Sequence, residues 1–265
     1  MRKHGCGELM DPTQRFSNRV EDYARFRPGY PLEVLETLRM ECGLTPASVI
    51  ADVGCGTGIL SRLFCQAGNR VYGVEPNAAM LEAARKSLRE CETFVAVSGR
   101  AETTTLKAAS VDFVTAAQAF HWFDVSQTRR EFARILKPGG WVVLLWNERR
   151  TEASPFNRAY EQLLVRFGID YHKVKPLWNK DSLPEFFAPA GFREKTFDNA
   201  QTFDRNELTG RILSASYMPH CGHPSYAPML GVIDNLFDEH QSGGEVRLEQ
   251  ETRMFYGQLE ASSEL

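Results

Sequence analysis

Apolar residues in this chain alternate between two rhythms. SVIADV (48–53) is a short apolar run, and GILSRLFCQAG (58–68) follows with Ile59, Leu60, Leu63, Phe64 and Ala67 at helical spacing, so the pair reads as a strand and then a helix. Gly68 suits the helix end, where a left-handed residue closes the last turn. RVYGVEP (70–76) predicts a second strand closed by Pro76, and NAAMLEAARKSLRE (77–90) a helix with Asn77 as its N-cap. CETFVAVSG (91–99) predicts strand three and SVDFVTAAQAF (110–120) strand four. VSQTRREFARILKPGG (125–140) predicts a helix stopped by Pro138 and the glycine pair. WVVLLWN (141–147) is apolar nearly throughout, as a strand covered on both faces is. Repeated strand–helix units imply an α/β fold: a doubly wound, mostly parallel sheet with right-handed crossovers.

Beyond Asn147 the rhythm changes. SPFNRAYEQLLVRFG (154–168) has helical spacing, and 172–192 mixes loop with a short helix. FREKTFDNAQTF (192–203) predicts strand six, and 206–217 and 226–240 predict helices around a Pro/His/Gly loop. VRLEQETRMFYGQL (246–259) alternates approximately and predicts a last strand. The extra helices of 154–190 and 206–240 are expected as a partial lid over the C-terminal edge of the sheet, where open α/β sheets bind ligands. The expected division is one domain in three parts: a leader or cap over 1–40, a cofactor-binding core over 41–150, and lid helices with the last strands of the same sheet over 151–265.

Composition narrows the function classes. The chain has 265 residues and a formal charge of −3, enough for a sizeable core and without the basic excess of a typical nucleic-acid binder. No run approaches the roughly 18 apolar residues of a membrane span, and the start, MRKHGCGELMDPTQRF, lacks the apolar segment of a signal peptide. Six scattered cysteines without a CxxC pair predict reduced thiols and a cytoplasmic protein. The HCGH cluster (His220, Cys221, His223) does not have zinc-ligand spacing, so no metal is expected.

Candidate chemistry gathers at the first strand–helix turn. VIADVGCGTGIL places Gly54, Gly56 and Gly58 at alternate positions after Asp52. A dinucleotide turn needs G-x-G-x-x-G, and here the sixth place is Ile59. GVEP then ends the next strand with Glu75, a carboxylate placed to accept both hydroxyls of a ribose. A dinucleotide brings a pyrophosphate to such a turn, whereas an S-adenosyl group brings a cationic tail and a sulfonium, which Asp52 would favour.

ADVGCGTG, VYGVEPNAAML, SGRAE, VDFVTAAQAFHWFD and LKPGGWVVLLWN occur in the order and spacing of class I S-adenosylmethionine-dependent methyltransferases. Within them the chain resembles the methyltransferase type 11 domain and the small-molecule branch similar to trans-aconitate methyltransferase; FSNRVEDYARFRPGYP (16–31) resembles that branch's leading segment. The match covers 48–147 and the leader, and the C-terminal part only in outline. The resemblance implies a Rossmann-like methyltransferase fold with a seven-stranded sheet, a helical leader and a helical lid. It implies S-adenosylmethionine as cofactor, S-adenosylhomocysteine as product, and a small-molecule methyl acceptor, with a carboxylate among the candidates. Asp52, Gly54, Gly56 and Gly58 would line the methionine moiety, Glu75 would hold the ribose, and Pro76 and Met80 would cover the adenine. Ala101 and Glu102 would sit at the adenine edge and Gln118 at the methionine end, with Tyr23 and Arg27 closing over the cofactor. His121, Trp122 and Tyr30 would face the acceptor, His121 as base or as positioning residue. The chain departs from the family where many relatives have an aspartate and it has Arg100. Arginine only donates hydrogen bonds, which leaves Glu102 or a backbone carbonyl for the adenine amino group, unless the match is one residue out of register.

A sulfonium methyl is already activated, so the protein need only align a nucleophile in line with it and exclude water; orientation alone supplies on the order of 7–11 kcal/mol in favourable cases. A carboxylate acceptor needs no base. A hydroxyl or amine needs one, and His121 is then the first candidate. Two other classes stay open: a nucleic-acid methyltransferase, which would commonly carry a proline–aromatic motif where QAFHWFD stands, and a non-catalytic cofactor-binding protein on the same fold.

Overall fold

The computed structural model describes residues 25–174 and 180–259. Tyr23 lies outside them. Chain order is α1 (Glu33–Cys42), β1 (Val49–Val53), α2 (Ile59–Gln66), β2 (Arg70–Glu75), α3 (Ala78–Ser87), β3 (Phe94–Ser98), β4 (Val111–Ala117), α4 (Val125–Ile135) and β5 (Leu136–Arg149). Then come α5 (Pro155–Phe167), α6 (Tyr171–Val174), α7 (Leu183–Phe186), β6 (Arg193–Phe203), α8 (Arg205–Leu213), α9 (Tyr226–His240) and β7 (Val246–Gln258). The seven strands form one sheet in the order β3-β2-β1-β4-β5-β7-β6. Pairs from β3 to β5 are parallel, and β7 runs antiparallel between β5 and β6. Strand order therefore reverses between β1 and β4, and that switch point opens the crevice where ligands bind in such sheets.

Alternation along β5 divides the core into two layers, because successive strand side chains point to opposite faces. Val142, Leu144 and Trp146 pack with Phe120, Phe132 and Phe186. Val143 and Leu145 pack on the other face with Val34 and Leu38 of α1 and Phe64 of α2. A third cluster joins α5, α8 and α9 around Tyr160, Leu164, Ile212 and Ile233.

Two expectations change. Helix α4 stops at Ile135, and β5 begins at Leu136 rather than Trp141. Leu136 already pairs with Val111 before the register shifts, so the Pro138–Gly140 run forms an irregularity inside the strand, a position where proline is tolerated. Lys137 closes it with an ion pair to Asp112 at 2.9 Å. The segment 154–190 is also not all lid. Leu183, Phe186 and Phe187 are fully buried in the sheet layer against Phe132, because a helix this apolar finds more area to cover there than over the cleft.

Asp52 ties three elements together inside this core. Its carboxylate accepts hydrogen bonds from Ser61 Oγ of α2 at 2.6 Å and Thr115 Oγ1 of β4 at 3.0 Å. The residue is 1 % exposed, and burial pushes its carboxyl up to about 6 against the pull of those hydroxyls. The folded chain therefore holds the Asp52 proton more tightly than the unfolded chain, where the pKa is about 3.9. The stability this contributes is full below about pH 4 and is lost as pH rises through 6. Asp52→Asn removes that slope, so the stability of the wild type relative to the variant falls by about 2 kcal/mol between pH 4 and pH 7, measurable by urea unfolding at both values.

Candidate functional site

The turn after β1 bends back onto the end of β2. The N–H groups of Gly54 and Cys55 both donate to the Val74 carbonyl, at 2.8 and 3.1 Å. Gly54 and Gly56 hold φ of +70° and +55°, in the left-handed region that favours glycine. A Cβ on Gly54 would stand 2.7 Å from Ala119 Cβ, whereas one on Gly56 would meet nothing within 4 Å, so that side of the turn looks onto open space.

Glu75 closes the arrangement. It is 8 % exposed, and its carboxylate oxygens accept from the Gly56 N–H at 3.0 Å and the Asn77 N–H at 2.9 Å. Each oxygen retains lone-pair capacity for a further donor. Burial raises its pKa, and the two N–H groups oppose the rise. Asn77 in turn caps α3, its Oδ1 accepting from the N–H groups of Ala79 and Met80 at 2.9 and 3.1 Å.

These turns and the segments after β3 and β4 surround a cavity of about 580 Å³ at the C-terminal edge of the sheet. Gly54, Gly56, Glu75, Pro76, Met80, Ala101, Glu102, Gln118 and Trp122 all line it, as does Arg100. The Arg100 carbonyl accepts from the Thr103 N–H at 3.1 Å, and Glu102 Oε1 accepts from the Asp124 N–H at 2.9 Å. Asp52 lies beside a separate cavity of about 40 Å³ under the turn, with Tyr30 and Gln118. Gly58 faces the helix layer, where a Cβ would stand 2.7 Å from Leu88 Cδ1. Its glycine serves close packing of α2 on α3, not the cavity wall.

A second cavity of about 350 Å³ adjoins the first, and Gln118 and Trp122 line both. Arg27, Tyr30 and His121 line the second and not the first. Gln118 takes a left-handed φ of +54°, a strained conformation for a non-glycine residue that clusters at ligand sites. Its backbone N–H donates to the Leu145 carbonyl at 2.9 Å and its Nε2 to the Asn147 carbonyl at 3.0 Å. The leader is pinned beside it: Asn147 Nδ2 and Asn199 Nδ2 both donate to the Gly29 carbonyl at 3.1 Å, and Gln201 Nε2 donates to the Phe26 carbonyl at 3.1 Å. These contacts bring Arg27 and Tyr30 to the site. His121 stands next to Trp122, ring centroids 4.9 Å apart, with a buried Nδ1 that has no hydrogen-bond partner among the described residues. Burial lowers its pKa to about 4, so the imidazole is neutral at pH 7.

The charges on the two cavities differ in sign. Charged side chains on the first are Glu75, Glu102, Asp124 and Arg100. On the second they are Arg27, Arg149, Arg211, Glu148 and Glu161. The sequence gives no sign of Arg149 or Arg211 as site residues: one ends a strand and the other sits in the last turn of a helix, and only tertiary packing brings both to the second cavity.

The family profile described as "Methyltransferase domain" matches residues 51–144. An uncharacterized methyltransferase of Mycobacterium tuberculosis (strain ATCC 25618 / H37Rv) is 35 % identical over 209 residues, covering 78 % of this chain and 79 % of its own. The chain belongs to the class I S-adenosylmethionine-dependent methyltransferases. An uncharacterized methyltransferase of Schizosaccharomyces pombe is 29 % identical over 197 residues, covering 73 % of this methyltransferase and 75 % of its own chain. Among solved structures, phosphoethanolamine N-methyltransferase 2 of Haemonchus contortus, in complex with phosphomonomethylethanolamine and S-adenosylhomocysteine, shares the fold with TM-score 0.55 at 16 % identity, covering 95 % of this chain and 59 % of its own. No helix among the described residues of the methyltransferase is long and apolar enough to cross a membrane.

Alanine at the two cavity-side glycines separates close packing from backbone conformation. Gly54→Ala meets Ala119 as well as the left-handed φ and is expected to cost about 2–3 kcal/mol. Gly56→Ala carries only the conformational cost, about 1 kcal/mol. Urea unfolding of the two variants gives the difference.

Proposed function

We propose that this methyltransferase transfers the methyl group of S-adenosylmethionine to a carboxylate of a small molecule held in the second cavity. The observation that carries the proposal is the reversal of charge between two cavities that share Gln118 and Trp122. Three carboxylates against one arginine favour a cationic ligand in the first cavity and disfavour a pyrophosphate. Three arginines against two glutamates favour an anion in the second.

The residues of the first cavity fit the cofactor. Glu75 offers its remaining lone pairs to the ribose hydroxyls, and the open face of Gly56 lets the amino-acid portion approach the backbone. Pro76 and Met80 offer apolar cover for the adenine, and Glu102 keeps one oxygen beyond its bond to Asp124 for the adenine amino group. When bound, S-adenosylmethionine supplies a methyl group activated by its sulfonium. The chain's own part is to orient and to exclude water. Trp122 and Gln118 stand at the shared wall, where the reacting groups would meet. A neutral His121 with a pKa of about 4 is a poor base for a hydroxyl or an amine. A carboxylate is ionised at pH 7 and needs none, which supports an acid acceptor with His121 as positioning residue.

The test is incubation with methyl-labelled S-adenosylmethionine and matched panels of carboxylic acids, alcohols, amines and RNA. Base-labile label appearing only with acids is the expected result. Label confined to alcohols, amines or RNA overturns the proposal. Calorimetry with S-adenosylhomocysteine checks the cofactor residues. Glu75→Ala is expected to weaken binding by about 10- to 100-fold, and His121→Phe to leave it unchanged. With an acid acceptor, kcat/KM is expected to stay flat from pH 7 to pH 8, above the titration of Asp52, because neither a neutral His121 nor an acceptor carboxylate titrates there.

A further inference from the structure

One face of β7 changes character part-way along the strand. Val246, Leu248, Gln250, Thr252, Met254 and Tyr256 point to that face, and all are buried. Val246 and Leu248 belong to the apolar cluster of α5, α8 and α9, and Met254 and Tyr256 to the cluster that includes α1. Gln250 and Thr252 stand at the seam between the two, 1 % and 0 % exposed. A buried polar side chain costs free energy unless it is hydrogen-bonded, so the seam has to be closed by partners. The flanking strands supply them. Asn147 of β5 stands opposite Thr252, and Arg149 of β5 and Asn199 of β6 stand opposite Gln250.

Hydrogen bonds join these side chains to the leader. Thr252 Oγ1 donates its one proton to Asn147 Oδ1 at 2.5 Å and accepts from Asn199 Nδ2 at 3.0 Å. Asn199 Nδ2 also reaches Asn147 Oδ1, at 3.2 Å. With Oδ1 committed to these donors, the Asn147 amide turns its Nδ2 to the Gly29 carbonyl, which Asn199 Nδ2 shares, each at 3.1 Å. Gln250 Nε2 donates to Gln201 Oε1 at 3.2 Å, and Gln201 Nε2 donates to the Phe26 carbonyl at 3.1 Å. The leader is thus anchored at Phe26 and Gly29 by side chains of the seam. Arg27 and Pro28 between the anchors, and Tyr30 just past them, line the second cavity. Thr252 lines neither the first cavity nor the second.

Packing alone does not call for a hydroxyl at this position. Valine shares the branched shape of threonine and carries no polar group to satisfy. What the hydroxyl adds is direction, because it sets which end of the Asn147 amide meets the leader. The Asn147 main-chain carbonyl also accepts from Gln118 Nε2 at 3.0 Å, so the same residue meets a side chain that lines both cavities. We propose that Thr252 is a positioning residue for methyl transfer, acting through Asn147 to hold the leader at the wall of the second cavity. This rests on the second cavity receiving the acceptor, and not on the acceptor being an acid.

The test compares the full-length wild type, Thr252→Val and Thr252→Ser, each saturated with S-adenosylhomocysteine, by hydrogen–deuterium exchange. Exchange at residues 26–30 is expected to be about tenfold faster in Thr252→Val and to return to the wild-type rate in Thr252→Ser, which keeps the hydroxyl. Exchange at the turns of Gly54 and Asn77 is expected to be unchanged, and S-adenosylhomocysteine affinity by calorimetry to hold within about twofold. With whichever acceptor takes label in the panel above, Thr252→Val is expected to lower kcat/KM for that acceptor by about 10- to 100-fold, and Thr252→Ser to restore it. A valine variant whose leader exchanges at the wild-type rate overturns the inference, as does one that opens the leader, β5 and β7 alike, or one that keeps full kcat/KM. Asn199→Ala, on the edge strand, removes the bonds to Gly29 and Asn147 from the other side. It is expected to give the same pattern, and it decides the question where Thr252→Val does not fold. Where no acceptor takes label, the exchange comparison decides alone. The two proposals fail separately. Label on an alcohol or an amine removes acid methylation, and the Thr252 comparison is then made with that acceptor. Unaltered leader exchange removes the role of Thr252 and leaves acid methylation intact.

Discussion

One carboxylate holds the C-terminal edge of the sheet in shape around the first cavity. Glu75 receives the Gly56 N–H from the turn after β1 and the Asn77 N–H from the turn after β2, so two adjacent strand–helix turns share a single acceptor. Both turns lie at the C-terminal edge of the sheet, beside the point where strand order reverses. The carboxylate satisfies two backbone donors that burial would otherwise leave unpaired, and those donors oppose the rise in pKa that burial imposes on it. The bridge adds to the bonds from Gly54 and Cys55 to the Val74 carbonyl, which tie the same turn to the end of β2.

The second constraint is how the chain closes the other side of the cleft. Asn147, Asn199 and Gln201, on β5 and β6, hold the leader carbonyls of Gly29 and Phe26. Thr252 on β7 donates its hydroxyl to Asn147 Oδ1 at 2.5 Å, which orients that amide. Asn147 also accepts at its carbonyl from Gln118 Nε2. One polar patch at the sheet edge thus sets both the leader and the residue that divides the two cavities. In the proposed function, the opposed charges of those cavities would bring a cationic donor and an anionic acceptor to a common wall, delivering orientation without a residue that must exchange protons.

Much of the core was legible in the sequence because its signals are contiguous. The alternation of apolar runs located all seven strands, though not the start of β5, the Asn77 cap follows from its place before an amphipathic run, and the turn glycines and Glu75 stand within 22 residues of one another, Gly54 to Glu75. Where the signals misled, a local cue met a tertiary alternative. Pro138 and the glycine pair looked like a helix stop, yet Leu136 was already paired with Val111. The short segment around Leu183 looked like lid, yet its phenylalanines had a deeper place beside Phe132.

By itself, then, the sequence determined the parallel sheet, the glycine turn with its acidic partner and the family, since periodicity and turn chemistry act over a few neighbouring residues. Tertiary structure alone decided which charges face the second cavity. Arg27 meets Ser214 across 187 residues, and Arg149, in a strand, faces Glu161 and Tyr171 on two helices beyond it. No spacing rule encodes such neighbours, because a cavity wall is made by the packing of elements whose residues have no fixed separation along the chain.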